Sequence, residues 1–116
     1  MFKKIAYTSY SVQDMERAVK FYSGVLGLKL SFKGEVWSEF EIDGQRIALH
    51  KTHSPLPKSG GAVLSFEAKP IEEAMEKLKS RGVRFVDDLR AFSYGKLAVF
   101  LDSEGNLVGL YEPPSQ

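Results

Sequence analysis

The strongest constraint on this 116-residue chain is that its second half repeats its first. Met15, Ala18, Val19 and Tyr22 fall on one face of an amphipathic helix, and Asp14 stands where its N-cap belongs. Ile71, Ala74, Met75 and Leu78 repeat that face 56 positions later, behind a Pro70 suited to a helix's first turn. The closing hairpins repeat as well. Asp43-Gly44-Gln45-Arg46-Ile47-Ala48-Leu49 lies over Glu104-Gly105-Asn106-Leu107-Val108-Gly109-Leu110, now 61 positions apart. One insertion in the loop at 87–95 accounts for the change of offset. Any two amphipathic helices look alike, so the helices alone prove little. Matched strands and hairpins in the same order point to duplication.

The elements between these landmarks follow from period and punctuation. Strands are expected over 3–11, 28–32, 36–42 and 46–51, with Gly24 and Gly27 ending the first helix. The Asp43-Gly44 pair is a strong two-residue hairpin signal. Strands over 62–68, 83–86, 96–102 and 107–112 follow in the second half, with Gly82 ending its helix and a longer loop expected over 87–95. Two prolines and two glycines make the stretch between the halves the one linker-like segment. The expected organisation is a single α+β domain: module one 1–52, linker 53–61 and module two 62–116, each module a βαβββ unit.

Composition excludes several classes. Sixteen basic and fifteen acidic residues leave a net charge of +1, no electrostatic footprint for nucleic acid or an anionic membrane. Cysteine is absent, so disulfides, thiolate metal sites and a thiol nucleophile are excluded. The start has no apolar run behind its basic residues, no stretch approaches a membrane span, and a cytoplasmic location is expected. There is no glycine-rich phosphate loop and no G-x-S-x-G. Ser9, Ser11 and Ser65 have no evident histidine base.

Two segments carry a family resemblance. Val12-Gln13-Asp14-Met15-Glu16-Arg17-Ala18-Val19-Lys20-Phe21-Tyr22, followed by Val25-Leu26-Gly27, resembles the opening V-x-D-x-x-x-A-x-x-F-Y-x-x-x-L-G of the glyoxalase/bleomycin-resistance/dioxygenase (vicinal oxygen chelate) superfamily. Phe100 to Glu112 resembles its closing F-x-D-P-x-G-N-x-x-E-L, with Ser103 where proline is usual. The resemblance spans nearly the whole chain. It implies eight strands in a cup-shaped mixed sheet, two helices on the convex side, a small molecule and often a divalent metal in the cup, and a homodimer.

The family's metal enzymes take ligands from four symmetry-related strand positions, which fall here on Tyr7, Ala48, Val63 and Gly109. Alanine, valine and glycine offer no donor, and a neutral tyrosine is a poor ligand for a divalent ion. Glyoxalase chemistry needs a Lewis acid and a proton-moving carboxylate, and extradiol dioxygenases need two histidines and one glutamate on iron. The expectation is therefore no cofactor, with a divalent metal disfavoured. His50, two residues beyond Ala48, and Glu67 are the residual metal candidates. A strand-end histidine or glutamate is more often simply solvated, and His53 belongs to the linker.

The expected cup lining is Tyr7, Ser9, Arg46, Ala48, His50, Val63, Ser65, Gly109 and Tyr111. Small residues at three old ligand positions leave volume, the tyrosines can stack, and Arg46 can pair with a carboxylate or phosphate. Trp37 groups by parity with Glu39 and Glu41 and is either a ligand platform or a core or dimer-interface residue; Tyr10 and Phe92 pose the same choice. The expected function is metal-independent binding of a planar or aromatic organic molecule, as in the bleomycin- and mitomycin-resistance members. An even charge argues against cationic bleomycin itself. The alternatives are a lactoylglutathione-lyase-like or dioxygenase-like metalloenzyme with displaced ligands, and a ligand-free regulatory subunit.

Overall fold

The computed structural model describes Met1, Lys3, residues 5–52 and residues 64–115. Two compact units, Met1–Lys58 and Ser59–Gln116, make up the chain. The expected linker 53–61, with His53, lies outside the described residues, as does Val63.

The first unit runs β1 (Thr8–Val12), α1 (Met15–Lys20), β2 (Lys29–Lys33), β3 (Trp37–Ile42) and β4 (Gln45–Lys51). Its sheet order is β1-β4-β3-β2, with β1 parallel to β4 and the other pairs antiparallel. Asp14 caps α1: its Oδ1 accepts from the Arg17 N–H at 3.0 Å. The helix does not stop at Gly24. It widens after Lys20 into one π-type turn, Phe21–Val25, closed by the Leu26 N–H donating to the Phe21 carbonyl at 3.0 Å. That turn keeps Tyr22 fully buried with Met15, Ala18 and Val19, and the four pack on Val12, Phe40 and Leu49 of the sheet. Asp43 (φ 49°) and Gly44 (φ 77°) form the expected hairpin turn, with positive φ at both central residues.

The second unit repeats the plan with β5 (Leu64–Glu67), α2 (Ile71–Ser80), β6 (Arg90–Phe92), β7 (Gly95–Leu101) and β8 (Leu107–Glu112), in sheet order β5-β8-β7-β6. Ile71 and Met75 of α2 are buried, as are Ala98, Phe100, Val108 and Leu110. Pro70 sits one place earlier than expected, at the N-cap, and offers no side-chain cap. Glu112 supplies it from β8, its Oε1 accepting from the buried Ile71 N–H at 2.9 Å. Beside it Lys96 donates to Glu72 at 2.7 Å. That bond holds the Glu72 carboxyl below its ordinary range and Lys96 above its own. The Asp102 carboxylate organises the last hairpin, accepting from the N–H groups of Glu104 and Asn106, each at 2.8 Å.

Three expected boundaries move. The first strand begins at Thr8 rather than residue 3, so Tyr7 stands just outside it. The strand expected over 83–86 shrinks to one bridge, Phe85 to Phe100, flanked by the Val86 N–H on the Val99 carbonyl and the Leu101 N–H on the Arg84 carbonyl. The chain then leaves β7 and rejoins it as β6, inside the segment read as a loop. The inserted residues thus form a wide interruption of one edge strand. Among the described residues, no helix is long and apolar enough to cross a membrane.

Candidate functional site

Strand register decides which side chains each sheet offers for chemistry. In the first sheet Phe40 pairs with Ile47 and Ser38 with Leu49, and this row faces α1. The alternate row therefore faces away from the helix. It holds Trp37 opposite His50, Glu39 opposite Ala48 and Glu41 opposite Arg46, with Ser9 next to Ala48 on β1. Trp37 is thus not part of the helix-side core: it lies on the same face as His50, Ala48, Arg46 and Ser9.

Three rings gather on that face. Tyr7 meets Trp37 edge-on at 5.3 Å, with the planes at 86°. Trp37 lies 6.0 Å from His50. Because β4 runs between β1 and β3, Tyr7 and Trp37 can touch only by reaching across β4. Ala48, a β4 residue of that face, is fully buried. The Trp37 indole N–H donates to Glu39 Oε2 at 2.8 Å, which fixes the ring against rotation. The result is an amphipathic surface with one oriented carboxylate. Tyr10 belongs to the opposite row and packs against the α1 core.

On the second sheet the helix-free row holds Ser65 opposite Gly109 and Glu67 opposite Tyr111, with Val99 and Leu97 beyond them. Gly109 is small for a local reason: a Cβ there would collide with Ser65 Oγ. Tyr111 lies across Gly95, where a Cβ would come within 2.6 Å of its ring. Its hydroxyl donates to the Tyr94 carbonyl at 2.9 Å, so that proton is committed to the backbone. Phe92 stacks flat on Tyr94, with centroids 4.9 Å apart, at the exposed β6–β7 turn.

At three of the four aligned ligand positions stand Tyr7, Ala48 and Gly109, and the last two carry no donor atom. Among the described residues, no group of three histidine, aspartate or glutamate side chains could hold a metal ion. A metal of the family's usual kind does not fit the residues at these positions. His50 belongs to the first sheet and Glu67 to the second, and each is exposed. Sequence reasoning missed Glu39, which holds the Trp37 ring, and Glu41 further along the same row. The only signal for them was the parity that tied both glutamates to Trp37.

Comparison with known proteins gives the lineage. Residues 4–110 match the model of the Glyoxalase/Bleomycin resistance protein/Dioxygenase superfamily. The chain is 28% identical over 127 residues to the uncharacterized protein YurT of Bacillus subtilis (strain 168), covering 94% of this chain and 98% of that one. Among solved structures it resembles the fosfomycin resistance protein FosX from Listeria monocytogenes, with a TM-score of 0.82, 19% identity, and coverage of 98% of this chain and 96% of that one. It also resembles lactoylglutathione lyase from Agrobacterium tumefaciens, with a TM-score of 0.76, 19% identity, and coverage of 94% and 92%. At such identities the two structures establish the fold alone. Tandem βαβββ units, the two end motifs and a match over almost the whole length converge, and the chain belongs to the glyoxalase/bleomycin resistance protein/dioxygenase superfamily.

Proposed function

We propose that this protein binds a small organic molecule with a planar group on the helix-free face of its first sheet, without a divalent metal. The observation that carries this reading is the array of Tyr7, Trp37 and His50: the β3–β4 register sets Trp37 opposite His50, and Tyr7 meets the indole edge-on. Aromatic faces attract planar and cationic groups through dispersion and their quadrupoles. The donor-poor positions at Ala48 and Gly109 support metal independence, because the family's Lewis-acid chemistry has no ligands to work with there.

Trp37 is the sole tryptophan of the chain, so its fluorescence reports this face alone. Riboflavin and menadione, two planar probes of different chemistry, are expected to include at least one that quenches Trp37 saturably at one equivalent. Tyr7→Ala should weaken that binding, and EDTA should leave it unchanged. Metal analysis of the purified protein should find far less than one equivalent of divalent ion. The metal-dependent lyase, isomerase or dioxygenase reading makes the opposite forecast: a stoichiometric ion, lost in His50→Ala, would replace the proposal.

A further inference from the structure

Beside the three rings, on the same face of the first sheet, runs a groove of about 400 Å³ lined by Ser31, Phe32, Glu39, Glu41, Gly44 and Arg46. A slip in β2 builds it. Leu30 pairs with Phe40, but the register shifts before the next pair, so Phe32 stands opposite Glu39 rather than Ser38. A one-residue slip sends a side chain to the other face of a sheet. Without it Phe32 would point to the helix side. With it, Phe32 faces the groove, and Ser31 Oγ donates to the Glu39 carbonyl at 3.1 Å to hold the bulge.

The groove is electrically two-ended. At one end Glu39 stands between Phe32 and Ala48, with Trp37 two residues before it on the same strand. Its paired residues on the two flanking strands are both apolar, and the indole N–H occupies one of its two oxygens. At the other end Glu41 stands between Lys29 and Arg46. Two cations around one anion leave that end positive. Among the described residues, no ion pair ties Lys29, Glu41 or Arg46 to one another or to anything else.

We infer that the ligand is a zwitterion, a small molecule carrying an ammonium and a carboxylate or phosphate on an aromatic or apolar body. The ammonium docks on Glu39 between the rings of Phe32 and Trp37, where a carboxylate and two aromatic faces act together. The anionic group docks on Arg46, whose planar fork matches it. The body lies along Trp37 toward Tyr7. This assignment rests on the proposed small-molecule reading and names the chemical class for that same face. It also accommodates the chain's even charge: recognition comes from a local charge pair rather than a net field.

Four phenyl probes of matched size test it on the full chain through Trp37 fluorescence: L-phenylalanine, phenethylamine, 3-phenylpropionate and 2-phenylethanol. Phenylalanine should saturate at the lowest concentration. Glu39→Gln, whose amide oxygen still accepts from the indole N–H, should weaken phenylalanine and phenethylamine and spare 3-phenylpropionate. Arg46→Gln should weaken phenylalanine and 3-phenylpropionate and spare phenethylamine. Each loss should be about fivefold or more, the scale of one charge-assisted contact at a partly solvated site. If 2-phenylethanol binds as well as phenylalanine, or both variants bind all four probes unchanged, the zwitterion assignment fails and the planar-ligand reading stands. The assignment fails in the same way if all four are silent while riboflavin or menadione binds. Silence from both sets of probes overturns both proposals.

Discussion

Gly109 and Ser65 compete for one small volume on the second sheet, since a Cβ at Gly109 would fall on Ser65 Oγ. The competition is local and testable. Gly109→Ala should cost about 1–3 kcal/mol in urea unfolding, the usual range for overpacking a filled position. Adding Ser65→Ala should restore most of it, because the hydroxyl is the colliding atom; two additive losses would show that the crowding lies elsewhere. The same scale explains what sequence parity can and cannot deliver. Parity alone tied Trp37 to Glu39 and Glu41, because alternation is a property of the strand itself. It could not choose the outward row, because the other row mixes Ser38 with Phe40 and Ile42. The pairing of Trp37 with His50 and the burial of Phe40 beneath α1 make that choice. Phe32 was beyond reach, since only the slip in β2 sends it to the groove.

The two helices start by different means, and the difference governs what could be foreseen. α1 is capped three residues away by Asp14, a contact that any reading of local spacing finds. α2 follows a proline with nothing to offer and takes its acceptor from Glu112, 41 residues on in the chain. No local pattern encodes that. Glu112→Ala should destabilise the protein by about 1–3 kcal/mol, because the buried Ile71 N–H is left without an acceptor. Glu112→Gln keeps an oxygen in place and should lose markedly less. Equal losses in urea midpoints would mean that the carboxylate's charge, and not the Ile71 bond, is what matters. The same distinction between local and distant causes underlies the miss at β6. Val83 to Val86 has the composition of a strand, but its pairing on β7 is interrupted and resumes at Arg90. The apolar helix faces and the Asp43-Gly44 turn, which depend on neighbours in sequence, fell where expected.

Over the whole chain, duplication kept the architecture and let the chemistry diverge. Both sheets have the order outer-parallel strand, last strand, third strand, bulged or interrupted edge. Their helix-free faces share almost nothing. The first offers Tyr7, Trp37, His50, Glu39 and Arg46; the second offers Ser65, Glu67, Tyr111, Leu97 and Val99. This is why the fold was legible from offsets along the chain while the candidate site was legible only in part. Core positions must repeat for the module to fold, and outward positions need not. The slipped edge strand β2 also bears on colloidal behaviour. All five of its residues are exposed, including Leu30 and Phe32, and it forms one border of its sheet. A flat apolar border would recruit a strand from another molecule, whereas an irregular one ending in lysines resists it. Replacing Lys29 and Lys33 together with threonine should therefore raise light scattering with concentration, with the unfolding midpoint little changed. The irregularity that turns one phenylalanine into the groove thus also breaks the regular border on which a second molecule's strand would have to pair.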